Sequence, residues 1–150
     1  MSDPDVRVIV LTGAGTSFCA GGDLKQGGDE TPRNSPPADA ARARPSTEDR
    51  IARLRAHMDA ARLLHQTSKP TIAMMRGGAA GAGLSIAAAC DLRIASDTAV
   101  LMTAFVPHGF SGDFGGTYFW TRILGGARAR ELYLLSEKLH ASRALEMGLV

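Results

Sequence analysis

Apolar positions in this chain come in short blocks separated by glycine-rich turns. From Val6 to Leu11 nearly every residue is apolar and several are β-branched, the pattern of a strand buried on both faces, as in a parallel sheet. Thr12-Gly13-Ala14-Gly15 breaks it. Thr71 to Met75 reads as a second buried strand, with Met74 and Met75 as core filler and Arg76-Gly77-Gly78 as the turn that follows. Between the two, Ile51, Leu54, Met58, Ala61 and Leu64 or His65 recur at helical spacing. Ser46 can cap that helix, with Asp49 as a capping-box-like partner. Lys69-Pro70 ends it, because the residue before a proline is pushed out of the helical region.

Further along, residues from about Gly83 to Ala89 predict a short helix of small residues that packs closely against its neighbours. Asp91 to Ala95 reads as a third strand and Val100 to Thr103 as a fourth. Phe105 to Gly116 is loop-like. Thr117 to Leu124 predicts a helix broken at Gly125-Gly126, and Ala127 to Leu135 predicts another. Ser142 caps a last helix that Gly148 closes. Alternation of strands and helices points to an α/β architecture, and 150 residues make one domain or part of one.

Residues 25 to 46 break the pattern. They hold Gly27-Gly28, Pro32, Pro36-Pro37 and Pro45 among charges, with almost no large apolar side chain. A mobile loop or insert is expected there, either a lid over a site or a solvated insertion. A formal charge of +2 is too slight to argue for a nucleic-acid or membrane partner. No apolar run is long enough to span a bilayer. Met-Ser-Asp-Pro-Asp shows no basic segment followed by an apolar one, so no signal peptide is read and a cytoplasmic location is expected. Cys19 and Cys90 lack metal-ligand or redox spacing and read as two free thiols. Gly13 and Gly15 do not make a dinucleotide fingerprint, because the third glycine would fall on Phe18.

The candidate chemistry lies in two turns. One is Ser17-Phe18-Cys19-Ala20-Gly21-Gly22-Asp23-Leu24. The other is Arg76-Gly77-Gly78-Ala79-Ala80-Gly81-Ala82-Gly83-Leu84, running on to Cys90-Asp91. Each follows an apolar run and leads towards a helix. Small residues let a ligand approach the backbone, and a helix start offers unpaired N–H groups to an anion. Two such turns can converge on one oxygen and stabilise negative charge as it develops. Alone, each turn is better explained by tight strand–helix packing. Asp23 reads as a turn or capping residue.

With both turns in view, the chain resembles the crotonase family, the enoyl-CoA hydratases and isomerases. The stretches that carry the likeness are VIVLTGAGTSFCAGGDL, KPTIAMMRGGAAGAGLSIAAACDLRIAS and GDFGGTYFWTRILGGARARELYLLSEKLHASRALEMGLV, nearly everything outside residues 26 to 50. The resemblance implies a crotonase-like ββα-repeat α/β fold. Family members carry further strands and a helix ahead of this region, and further helices after it that build a trimer. The chain is thus expected to be the central part of the domain, incomplete at both ends, and a homo-trimer or hexamer is expected where those parts are present.

The resemblance also assigns roles. The oxyanion donors fall on the backbone N–H groups of Ala20 and Ala82, and Ser17, Phe18, Gly22 and Leu24 fall on the surface that binds coenzyme A. The partner implied is an acyl-CoA thioester, with coenzyme A as part of the substrate and no separate cofactor or metal. The two glutamates of the family's hydratases fall on Ser85 and Phe105, neither of which can act as a general base. Gly112-Asp113-Phe114-Gly115-Gly116 resembles the "PD-x-GG" stretch of the isomerase-type members, above all those acting on epoxyphenylacetyl-CoA. There the aspartate moves a proton on the acyl chain. Asp113 is the implied acid/base, in a pocket lined by Phe105, Phe110 and Phe114. Gly112 departs from the family's usual proline, which is expected to loosen the turn that aims the acid. The other reading of Asp113 is a surface-turn aspartate bonded to its own backbone. His108 reads as exposed or structural. The implied activity is isomerisation of a double bond or an epoxide on the acyl chain, with hydration through Asp113 and a CoA-thioester-binding remnant without turnover as the alternatives.

Overall fold

The computed structural model describes residues 3–22 and 46–150. Asp23, Leu24 and the loop read at 25–46, apart from Ser46, lie outside the described residues. In chain order the elements are β1 (Ile9–Leu11), α1 (Thr47–Gln66), β2 (Thr71–Met75), β3 (Gly78–Ala80), α2 (Ala82–Ala89), β4 (Leu92–Ala95) and β5 (Val100–Met102). A 3-10 turn (Val106–His108), α3 (Gly116–Leu124), α4 (Gly126–Leu135), β6 (Leu139–His140) and α5 (Ala141–Met147) complete them.

Two three-stranded sheets result. The first, in order β1-β2-β4, is wholly parallel, with Val10 beside Ile72 and Ile72 beside Leu92. The second, β3-β5-β6, pairs β3 parallel and β6 antiparallel to β5. Residues 78–80, read as part of the second glycine turn, are thus a strand. The Leu139–His140 strand had no counterpart in the sequence reading. Between β2 and β4 runs α2, apolar on every side and buried at Ala82, Gly83, Leu84, Ser85, Ala87, Ala88 and Ala89, as befits a central helix. Around it the core gathers Met75, Leu101, Trp120 and Leu149, each essentially inaccessible.

The first sheet is covered on one face. Strand side chains alternate, so Thr71, Ala73 and Met75 point into the core while Met74 points out, 41% exposed. Val10, Leu92 and Ile94 share that outer face and are also exposed. The expectation of a first strand buried on both faces therefore fails, as does the reading of Met74 as core.

Local signals fix the helices. Ser46 caps α1 through a full capping box: its hydroxyl accepts from the Asp49 N–H at 3.0 Å, and its own N–H donates to the Asp49 carboxylate at 3.1 Å. The helix buries Ala61 and leaves Ile51 and Leu54 exposed, so the apolar face read from the sequence packs near its C-terminal end. His140 rather than Ser142 takes the N-cap position of α5, with no cap bond from its side chain, and Gly148 closes the helix in the left-handed region. Asp91 locks the start of β2 to that of β4: its carboxylate accepts from the Thr71 N–H and hydroxyl, both at 2.8 Å. Arg93 donates from β4 to the Leu149 carbonyl at 2.9 Å, fastening the segment after α5. No helix among the described residues is long and apolar enough to cross a membrane.

Candidate active site

The segment that leads from β1 into the first glycine turn is fastened onto the carboxyl end of β2. Arg76 donates to the carbonyls of Gly13 at 2.8 Å and Gly15 at 2.9 Å, and the Thr12 hydroxyl donates to the Met74 carbonyl at 3.0 Å. The chain then runs alongside β3. Phe18 and Cys19 both donate to the Gly78 carbonyl, Ala80 donates to the Cys19 carbonyl at 2.9 Å, and Cys19 pairs in parallel with Ala79. This register carries Ala20 and Gly21 past Ala80, to the point where β3 gives way to α2. Both turns therefore open at the carboxyl ends of parallel strands, the end where α/β sheets bind ligands.

Glycine lets the two turns touch. Gly21 lies at φ +91°, and a Cβ there would stand 2.9 Å from the Ala80 carbonyl oxygen and 3.4 Å from the Ala82 nitrogen. Gly81 lies at φ +53° and donates to the Met102 carbonyl at 3.1 Å, which turns the chain into α2. A Cβ on Gly83 would collide with the Cys19 carbonyl oxygen and reach within 2.8 Å of its sulfur. The Ala82 N–H heads the helix and so has no intrahelical acceptor. Among the described residues, neither it nor the Ala20 N–H has a backbone acceptor.

Those two alanines line a cavity of about 130 Å³ together with Gly21, Gly22, Gly81, Ala104, Phe105, His108, Phe110 and Asp113. The opposite wall depends on a bend after β5. Ala104 takes φ +58°, unusual for a residue with a Cβ. Its N–H donates to Ser136 Oγ at 2.9 Å, and the Thr103 hydroxyl lies 3.0 Å from that same oxygen. Ser136, itself left-handed at the end of α4, thus holds the bend from behind. Phe105 follows, buried and stacked parallel on Tyr133 with ring centroids 5.9 Å apart.

Asp113 opens a turn in which its carbonyl accepts from the Gly116 N–H at 3.0 Å. Phe114 and Gly115, the central pair, have φ +49° and +70°, the pattern of a type I′ turn. Burial pushes the Asp113 carboxyl above the ordinary carboxylate range, and its Oδ1 is buried without a hydrogen-bond partner. Gly112 sits at φ +103°, where proline cannot stand. The glycine is what this turn requires, so the expected loosening is not what the structure has.

Most of the residues read from the sequence meet here, and some do not. Ala20, Ala82, Asp113, Gly22, Phe105 and Phe110 line the cavity. Phe18 is buried in the core, so its ring is not part of an open surface. Ser17 braces the second turn, its hydroxyl accepting from the Gly78 N–H at 3.3 Å. Phe114 turns to the other side, into a groove shared with Met58, His65 and Phe119. Leu24 lies outside the described residues. His108, read as exposed or structural, is exposed but also lines the cavity; the left-handed Gly109 after it folds the segment back. Ser85, on a hydratase-glutamate position, is buried with its hydroxyl donating to the Gly81 carbonyl at 3.3 Å. Cys19 and Cys90 are both free thiols, and burial pushes that of Cys90 up.

Comparisons with known proteins agree on one family. Residues 1–150 match the family model described as enoyl-CoA hydratase/isomerase. The 1,2-epoxyphenylacetyl-CoA isomerase of Escherichia coli (strain K12) is 36% identical over 148 residues, which cover 99% of this chain and 52% of that protein. An enoyl-CoA hydratase crystal structure from Polaromonas sp. JS666 superposes with a TM-score of 0.82 at 34% identity, covering 99% of this chain and 53% of that one. A Thermobifida fusca YX protein solved in complex with acetoacetyl-CoA gives 0.78 at 30% identity, covering 97% and 55%. The chain thus spans about half the length of the relatives it matches. By sequence and by fold, it belongs to the enoyl-CoA hydratase/isomerase family and carries a partial crotonase-type α/β domain.

Proposed function

We propose that this chain binds an acyl-CoA thioester and isomerises it through an enolate, in the manner of an enoyl-CoA isomerase. The thioester oxygen is held by the N–H groups of Ala20 and Ala82. Asp113 takes a proton from the carbon next to the carbonyl, and the electron pair moves onto that oxygen. The same carboxyl then returns the proton two carbons further along, which shifts the double bond without water. Nothing is oxidised or reduced.

The observation that carries this reading is the shared cavity: two N–H groups without backbone acceptors among the described residues and one partly desolvated carboxyl line the same small space. Losing one such donor typically slows a reaction by about a hundred- to a thousand-fold. A positioned acid–base group contributes about a hundred- to ten-thousand-fold. A raised pKa suits a group that must both take and return a proton. Isomerisation is favoured over hydration because neither residue on the two hydratase-glutamate positions is a base. Phe105 is buried against Tyr133, and Ser85 is committed to Gly81, so neither can activate water. The acetoacetyl-CoA bound by the Thermobifida fusca relative supports a thioester as the ligand.

The test offers 3-enoyl-CoA and 2-enoyl-CoA separately to the purified chain and to Asp113→Asn. Conversion of the 3-enoyl to the 2-enoyl thioester, lowered about a hundred-fold or more in the variant, supports the reading. Hydration that survives the substitution overturns it, and binding without turnover points to a thioester-binding module.

A further inference from the structure

Behind the cavity, the turn that carries Asp113 closes around a side chain from another element. Tyr133 reaches it from α4, its ring nearly parallel to that of Phe105, with 4° between the planes. A Cβ on Gly112 would stand 3.0 Å from Tyr133 Cε1 and 3.6 Å from its hydroxyl oxygen. One on Gly116 would collide with that hydroxyl and with Ser85 Oγ. The phenol oxygen therefore sits inside the Gly112–Gly116 turn, in room that glycine leaves at either end.

Two buried polar atoms in this small region lack a hydrogen-bond partner among the described residues: Tyr133 OH and Asp113 Oδ1. Ser85 Oγ, which donates to the Gly81 carbonyl, is another acceptor beside the phenol, but a charged carboxylate is the stronger of the two. A buried donor and a buried acceptor left unmatched are each costly, and pairing them removes both penalties. We propose that Tyr133 is a positioning residue for Asp113: its hydroxyl donates to Oδ1 through one water, and so turns the other carboxyl oxygen towards the substrate. The inference rests on the reading of Asp113 as the group that moves the proton.

The surroundings fit this role. Burial first, and then the charge of Asp113, push the phenol up to about 12 against the opposing effect of Ser85, so it remains a donor through neutral pH. The groups that face Asp113 are Tyr133 from α4, Ser85 behind it from α2, and His108 from the 3-10 turn across the cavity. A donor at Oδ1 favours the charged carboxylate and offsets part of the desolvation that raises its pKa.

The test titrates the Asp113 carboxyl by carbon NMR in the 150-residue chain, in Tyr133→Phe, and in a chain with 3,5-difluorotyrosine at position 133, alongside kinetics with 3-enoyl-CoA. Phenylalanine keeps the ring stack and removes the donor. The Asp113 midpoint is expected to rise by about one pH unit, and kcat to fall about tenfold with KM within about twofold. The difluoro phenol, a stronger donor while protonated, is expected to lower the midpoint; this arm decides the matter if Tyr133→Phe fails to fold. An unmoved midpoint in both chains overturns the inference even if Asp113 proves essential. A moved midpoint in a chain that converts no thioester supports the positioning contact and sinks the isomerase reading instead.

Discussion

Gly21 is one of the residues on which the contact between the two turns depends, and Gly21→Ala perturbs it with one methyl group. The new Cβ would lie 2.9 Å from the Ala80 carbonyl oxygen and 3.4 Å from the Ala82 nitrogen, both backbone atoms with little freedom to yield. The residue also sits at φ +91°, a region where an L side chain costs about 1–3 kcal/mol. With the close contact added, native-state strain of about 2–4 kcal/mol is expected, which lowers Tm by roughly 5–15 °C in a domain of this size. If the strain is relieved instead by the first turn lifting away, the Ala20 and Ala82 N–H groups part, and turnover of 3-enoyl-CoA falls towards the roughly hundred-fold loss of a missing donor. Gly15→Ala is the matched control, because a Cβ there meets nothing within 4 Å and the backbone is not left-handed. The assay is thermal melting followed by circular dichroism, with acyl-CoA turnover on the same samples. A Gly21→Ala chain that matches Gly15→Ala in both would refute the claim that the turns are in enforced contact.

Other perturbations test the supporting structure. Ser136→Ala leaves the Ala104 N–H without its partner at 2.9 Å, and a destabilisation of about 1–3 kcal/mol is expected in urea unfolding. Gly112→Pro, which restores the family's usual residue, should lower both Tm and turnover, because φ +103° lies far from proline's fixed value of about −65°. Asp91 is held below the ordinary carboxylate range by the Thr71 hydroxyl and then by the Thr71 N–H. Its folded pKa is thus lower than its unfolded value of about 3.9, so its contribution is complete above that pH and is lost as pH falls through the folded value. The Tm gap between the wild type and Asp91→Asn should stay constant above about pH 5 and close at lower pH.

What could be read in the sequence was whatever depended on neighbours along the chain. The capping box at Ser46 and Asp49, the apolar run of β2 and the small-residue helix α2 are local patterns, and the structure forms them. The two glycine turns were legible as a pair, but their approach depends on Cys19 pairing with Ala79, a contact with no local signal. Adjacency to a site residue did not tell which way a ring points. Phe18 precedes the first turn and goes into the core, while Phe114, at positive φ, swings to the far side of its turn from Asp113. The placing of His108 at the cavity and the arrival of Tyr133 escaped the sequence for a similar reason: the first is folded back by Gly109, and the second comes from another helix. Met74 shows that an apolar run of five residues does not reveal which of two faces is covered.

The most direct measurement is an amide spectrum of the isotope-labelled chain titrated with acetoacetyl-CoA. If the two turns form one oxyanion site, the Ala20 and Ala82 N–H protons move downfield together with a single Kd, and the Asp113 carboxyl responds over the same concentrations. A thioester that binds while either amide stays still, or that shifts the two with different Kd values, would contradict the account.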